Sequence, residues 1–352
     1  MLRFSRKLSK FKPFVDSLRF DHFVALIDET GMLQHSKFSI PDRRLGYTTD
    51  DNARALIVST RQYDLLLSEK WSRLATRFLA FLMAMQGPDG RFHNYMNYGR
   101  ELEDDLGVGD HLGRALWAVG SVVDSCLARG VRASAKEVFD KALPWALEST
   151  SPRVKAHAVK GLIRYVNRFA DDLNARRNLS SLVKQLSAAY ESNRSADWGW
   201  FEDIVTYENW RLPECLFEAY LVGENCLEVA EASLKFLIGV EFEDGIFAPV
   251  GSEGWYTRNL VKAQFDQLPV EAGSAIEALA IAGVATGSSQ YWDLALQALS
   301  WYHGANQKGV IVYDAKNGEC YDGISRLGLN LNKGAESTLS YILAVTSLQL
   351  IR

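Results

Sequence analysis

The chain is 352 residues long, 47% apolar and 23% charged, the proportions of a globular protein with a large core. Its formal charge of −4 leaves no electrostatic footprint for nucleic acid or an anionic membrane surface, so neither is expected as a partner. No run approaches the ~20 apolar residues needed to cross a bilayer, and no linker composition divides the chain, so one domain over residues 1–352 is expected.

The segment from Met1 to Lys10 is basic but lacks the apolar core and small-residue cleavage site of a signal peptide, which points to the cytoplasm. Cys126, Cys215, Cys226 and Cys320 form no C-x-x-C pair and no disulfide framework, so reduced, mostly buried thiols are expected. Phe14, Val15, Leu18, Phe23, Leu26 and Ile27 recur at helical spacing and predict a first helix over 13–29, stopped by Gly31. A long loop from Leu33 to Arg44 then carries many groups able to hold a polar ligand. It runs into Leu45-Gly46-Tyr47-Thr48-Thr49-Asp50-Asp51-Asn52-Ala53-Arg54, where an acid-bearing loop turns directly into an apolar helix. Thr49 or Asp50 can cap that helix, and Asp51 then lies in the positive field of its first turn.

Helices over 51–63 and 70–86 lead to Pro88-Asp89-Gly90, turn chemistry that sends the chain back towards Asp110. There Gly109-Asp110-His111-Leu112-Gly113-Arg114 restates the opening stretch, with Asp110 60 positions after Asp50 and Arg114 60 after Arg54. Helices follow over 110–125, 133–148, 152–168 and 171–192, then an aromatic hairpin over 197–210, then helices over 211–222, 225–239, 269–284, 288–304 and 334–350. Val310 to Tyr321, turning at Asn317-Gly318, reads as a short β-hairpin. Three late helices open with a glutamate, Glu214, Glu271 and Glu336, spaced by 57 and 65 positions. A period near sixty is one helical hairpin per repeat. Six helices that open at polar loops, five that follow them and the N-terminal helix as sixth partner predict an all-α, closed (α/α)6 toroid with short β-hairpins at one end. An open solenoid is the alternative, although its repeats are usually shorter.

With these features the chain resembles the six-hairpin glycosidase superfamily, the (α/α)6 barrels of many glycoside hydrolases, unsaturated-uronyl hydrolases and sugar epimerases. More narrowly, the stretch from Asp42 to Leu56, the stretch Phe265-Asp266-Gln267-Leu268-Pro269-Val270-Glu271-Ala272, and the stretch from Asn330 to Thr338 look like a helical region attached to some bacterial glycosyltransferases. That region also occurs as a separate protein encoded near mannoside phosphorylases. The resemblance implies carbohydrate chemistry, possible mannoside substrates and a possible glycosyltransferase partner. No Gly-rich strand–turn–helix for a nucleotide sugar is present, so the chain is not expected to be a transferase itself.

Carboxylates at the inner-helix starts are the candidate catalytic groups. Asp51 and Glu271 are the expected acid/base pair, facing each other across the barrel axis, with Asp110, Glu208 and Glu336 in reserve. Glycoside hydrolysis needs one protonated and one ionised carboxyl, and mutual repulsion can raise one while a helix start favours ionisation of the other. Each acid taken singly is equally well read as a helix cap or dipole partner. The expected substrate-binding set is Asp50, His35, Arg43, Arg44, His111, Trp198, Trp200, Tyr207, Trp210, Trp255 and Tyr256, the aromatics stacking on sugar faces or merely sealing loops onto the barrel. No H-x-x-x-H or H-E-x-x-H pattern occurs, so neither metal nor cofactor is expected. The expected function is a glycoside-hydrolase-type enzyme acting on a short oligosaccharide in an axial pocket. The alternatives are an epimerase or lyase using His35, His111 or His157, and a non-catalytic glycan-binding partner of a glycosyltransferase.

Overall fold

A computed structural model describes residues 9–350. Most of the basic N-terminal segment, on which the expectation of a cytoplasmic protein rests, lies outside the described residues. Among those residues the helices are α1 (Lys12–Asp16), α2 (Asp21–Ala25), α3 (Thr49–Leu66), α4 (Glu69–Met85), α5 (Asp110–Asp124), α6 (Arg129–Glu148), α7 (Pro152–Arg168), α8 (Leu173–Asn193), α9 (Arg211–Leu221), α10 (Leu227–Glu241), α11 (Pro269–Thr286), α12 (Ser289–Trp301) and α13 (Ala335–Leu350). Among the described residues no helix is long and apolar enough to cross a membrane.

Helices α3, α5, α7, α9, α11 and α13 pack each on the next, and α13 packs back on α3, closing a ring. Outside it, α4, α6, α8, α10 and α12 each lie against the inner helix that precedes them, while α1 and α2 cover α13. This is the (α/α)6 barrel. The inner members bury most of their circumference, as α11 does, because they touch neighbours on every side. The outer members bury one stripe, as α4 does with Trp71, Ala75, Phe78, Leu82 and Met85 at helical spacing. The closest inner pair is α5 with α7. There Gly120 and Gly161 face each other, and a methyl at Gly161 would strike the Leu116 carbonyl.

The two ends of the barrel differ. At the ends of the inner helices the turns are short, Leu67-Ser68 and Gly287-Ser288 being two residues each, with Leu67 and Gly287 in left-handed conformations that reverse the chain. At the starts of the inner helices the connections are long and carry the β-hairpins, including Gly323–Ser325 with Gly328–Asn330 and the expected Tyr313–Asp314 with Glu319–Cys320. The functional candidates cluster at this loop-bearing end.

Three local expectations are corrected. The single N-terminal helix is broken in two, because the Arg19 and His22 amides are drawn to Tyr313 Oη and the Asn317 carbonyl of the 313–320 hairpin. Residues 197–210 do not pair with themselves: Ile204–Val205 pairs with Tyr256–Thr257, while Trp198 and Trp200 sink against Phe236. The cap of α3 is Thr48, whose Oγ1 accepts the Asp51 amide. Thr49 instead donates to the His93 carbonyl, and Asp50 is engaged by Arg114. All four cysteines are free, with Cys126 exposed and the other three buried.

Candidate active site

A cavity of about 310 Å³ opens at the starts of α3 and α13. Asp50, Asp51 and Arg54 come from α3, Glu336 and Ser337 from α13, Gln34 and His35 from the N-terminal loop, Asn94 and Tyr95 from the α4–α5 loop, and Asp322 and Asn330 from the last long loop. The pairing of Tyr47–Thr48 with Tyr95–Met96 is what carries Asn94 to the start of α3. Asp322 ties the α13 end of the wall, its Oδ1 accepting from the Gly334 amide at 2.6 Å and the Ser337 hydroxyl at 2.9 Å.

Asp50 and Asp51 are consecutive but live in opposite conditions. Asp50 Oδ1 accepts Arg114 Nη1 at 2.5 Å and Oδ2 accepts Asn94 Nδ2 at 3.3 Å. Against the cost of its burial, the charges of Arg114 and Arg54 hold its carboxyl below the usual aspartate value. Asp51 is 4% exposed. Burial, with the negative charges of Glu336 and Asp50 in support, pushes it up to about 7 although Arg54 pulls the other way. The field of a helix start does not compensate for that desolvation. Arg54 is shared: it lies 3.3 Å from Asp51 Oδ1, 3.0 Å from Glu336 Oε2 and 3.6 Å from Glu208 Oε1. Glu336 is 47% exposed across the pocket from Asp51. Because one guanidinium touches both, the two carboxyls lie within the ~9.5 Å outer limit for paired glycosidase carboxylates.

Glu271 does not reach this pocket. It has no solvent exposure, and its carboxyl accepts the Glu208 backbone amide and, at 3.4 Å, Asn209 Nδ2. Burial and the charges of Glu241 and Glu208 hold it well above the usual carboxylate range. The expected face-to-face pair of Asp51 and Glu271 is therefore not what the geometry brings together; Asp51 meets Asp50 and Glu336 instead. Glu208, 1% exposed, is clamped by Arg114 Nε at 2.9 Å and also by Arg114 Nη2, and these charges hold it well below the usual value despite its burial. Asp110 accepts the Tyr207 hydroxyl at 2.7 Å beside the pocket rather than in its lining.

The binding candidates divide in the same way. His35 lines the pocket, whereas His111 Nε2 lies 3.2 Å from the Phe92 carbonyl and His157 is fully buried, stacked on Trp117. Arg43 sits over the Tyr98 ring and Arg44 pairs with Asp42, both outside the lining. Trp198, Trp200 and Trp210 are core residues: the Trp198 indole donates to the Glu202 carbonyl and the Trp210 indole to Glu241. Tyr256 packs on Trp198, and Trp255 on the partly exposed Tyr207. The 33–44 loop, expected to hold a polar ligand, contributes Gln34 and His35 to the lining, whereas sequence reasoning missed Asn94, Asp322 and Asn330 there. It also missed a buried column of charge beneath the pocket, Arg211 with Glu214 and Glu277, and Lys160 with Glu214 and Glu218.

No protein-family model matches the chain, and no curated protein matches it in sequence. Solved structures match its fold over nearly full length. A cellobiose 2-epimerase from Bacillus thermoamylovorans B4167 is 12% identical with a TM-score of 0.76, covering 100% of this chain and 99% of its own. A D-mannose isomerase is 13% identical with a TM-score of 0.74, covering 97% of each chain. The α-1,6-mannanase GH76A from Salegentibacter sp. HEL1_6 is 10% identical with a TM-score of 0.64, covering 97% of this chain and 100% of its own. At these identities the likeness is one of fold, and the fold shared by this chain and all three is the (α/α)6 barrel.

Proposed function

We propose that this protein hydrolyses a glycosidic bond of a short oligosaccharide, with a mannoside as the first candidate, in the pocket at the starts of α3 and α13. The observation that carries this reading is the consecutive pair Asp50 and Asp51, one held ionised by Arg114 and the other pushed up to about 7. Two carboxyls whose surroundings drive their proton affinities apart are the arrangement that divides acid from base or nucleophile. Asp51 donates its proton to the leaving oxygen as the glycosidic bond breaks, water adds its oxygen to the oxocarbenium-like centre, and the ionised Asp50 is the base that takes the water's proton. Glu336 holds Arg54 beside Asp51, and Gln34, Asn94 and Asn330 offer amides to sugar hydroxyls. The mannanase neighbour lends support by analogy: a variant of it in which two consecutive aspartates are replaced by asparagine is inactive, and was solved with α-1,6-mannotriose bound.

Epimerisation is the second reading, favoured by the epimerase neighbour's higher TM-score. It would rest on His35, the histidine of the pocket lining. The test is proton NMR of a panel of mannosyl and glucosyl oligosaccharides incubated with the protein in heavy water. New reducing ends without deuterium in recovered substrate support hydrolysis. Deuterium in recovered sugar with no new reducing ends moves the assignment to epimerisation. Binding without either change makes the protein a glycan-binding module, including one that accompanies a glycosyltransferase, and absence of binding overturns the reading.

A further inference from the structure

Glu208 has a backbone and a side chain that both need explaining. Its φ of +46° lies in the left-handed region that residues with a Cβ seldom adopt. The turn is held from both sides: the Glu208 amide donates to the Glu271 carboxyl, and the Glu208 carbonyl accepts the Arg211 amide at 3.1 Å. The result is a carboxylate driven into the barrel axis beneath the pocket. Its Oε2 takes Arg114 through Nε and Nη2, leaving Nη1 of the same guanidinium aimed at Asp50. Its Oε1 lies 3.7 Å from Arg211 Nε and 3.6 Å from Arg54 Nη2, a buried nitrogen that lies 3.0 Å from Glu336 Oε2 but is hydrogen-bonded to neither carboxylate, while His157 Nε2 stands 3.4 Å from Glu208 Oε2.

We infer that Glu208 is a positioning residue for the consecutive aspartates, dividing two buried guanidinium groups so that Asp50 receives a directed partner and Asp51 only a share of one. This rests on the hydrolase reading for its consequence but not for its measurement. Asp51 is faced by Asp50 and Arg54 on α3, by Glu336 on α13 and, through Arg54, by Glu208; His35 and Asp322 line the same pocket, and Arg114 reaches it through Asp50. Removing the Glu208 charge frees more of the Arg54 charge for Asp51, which stabilises the carboxylate and lowers the proton affinity of Asp51.

The experiment is isotope-edited infrared titration of the Asp51 carboxyl in wild type, Glu208→Gln and Glu208→Asp, with circular dichroism to confirm folding. The expected result is a midpoint lower by about one pH unit or more in Glu208→Gln, and a smaller fall in Glu208→Asp, which retracts the charge by one methylene. Where substrate is turned over, the alkaline limb of kcat moves down by the same amount, a change that a purely structural residue would not cause. An unmoved midpoint in a folded variant overturns the inference even if wild-type hydrolysis stands. A lowered midpoint upholds it even if no substrate is hydrolysed, and a raised one overturns it. If neither variant folds, Glu208 is a structural keystone and the inference falls.

Discussion

Replacing Asp51 with asparagine separates a proton-carrying acid from an ordinary helix-start charge. The gap between about 7 in the folded protein and 3.8 for an ordinary aspartate is worth roughly 4 kcal/mol at ~1.36 kcal/mol per pH unit. Folding raises the proton affinity, so the stabilisation from protonated Asp51 is fully present below about pH 4 and is lost as the pH climbs through about 7. Asparagine has no proton to lose. Wild-type stability minus that of Asp51→Asn should therefore fall by up to about 4 kcal/mol between pH 4 and pH 8 and level off beyond. Urea unfolding of both proteins at pH 4, 6 and 8 measures this directly. The same variant keeps the shape of the pocket and should lose turnover by at least ~100-fold on any substrate found. A stability difference that does not change with pH, or one that grows as pH rises, would refute the reasoning and return Asp51 to a dipole partner of α3.

Glu271→Gln removes a charge that burial and the charges of Glu241 and Glu208 already disfavour, so stability should change by less than about 1 kcal/mol and turnover should persist; a ~100-fold loss in a folded variant would restore Glu271 as a catalytic acid. Lys160→Met strips Glu214 and Glu218 of the cation between them, 2.6 Å from Glu218, and should cost about 3–5 kcal/mol in urea unfolding. A cost under about 1 kcal/mol would show that the two glutamates share a proton without it. Gly161→Ala should destabilise by about 1–3 kcal/mol, because its methyl meets the Leu116 carbonyl of α5; an unchanged melting temperature would contradict the backbone contact between α5 and α7.

The barrel was legible because its repeat is written in residue chemistry. Asp50, Asp110, Glu214, Glu271 and Glu336 mark helix starts that each sit in the first turn of an inner helix. What was not legible was set by contacts distant in sequence. The break between α1 and α2 comes from the 313–320 hairpin, nearly three hundred residues away, and Thr48 became the cap because Thr49 and Asp50 found partners elsewhere. The site divides on the same ground. Asp50, Asp51 and Glu336 could be named because an acid at an inner-helix start lies at the mouth. Glu271 has the same local sequence character, but the Glu208 turn seals it in. The charged column had a sign that went unread: Arg61, Lys160, Glu218 and Glu277 interrupt inner-helix faces that would otherwise be apolar, and charges there persist only when paired.

If the protein acts on an oligosaccharide as proposed, the pocket around Asp50 and Asp51 holds the sugar. Soaking crystals of Asp51→Asn with α-1,6-mannotriose, and with other linkages in turn, tests it at the level of atoms. A sugar ring is expected between Asp50, residue 51 and Glu336, with its hydroxyls on Gln34, Asn94 or Asn330. Sugar bound elsewhere on the barrel, with this pocket left to water, would contradict it.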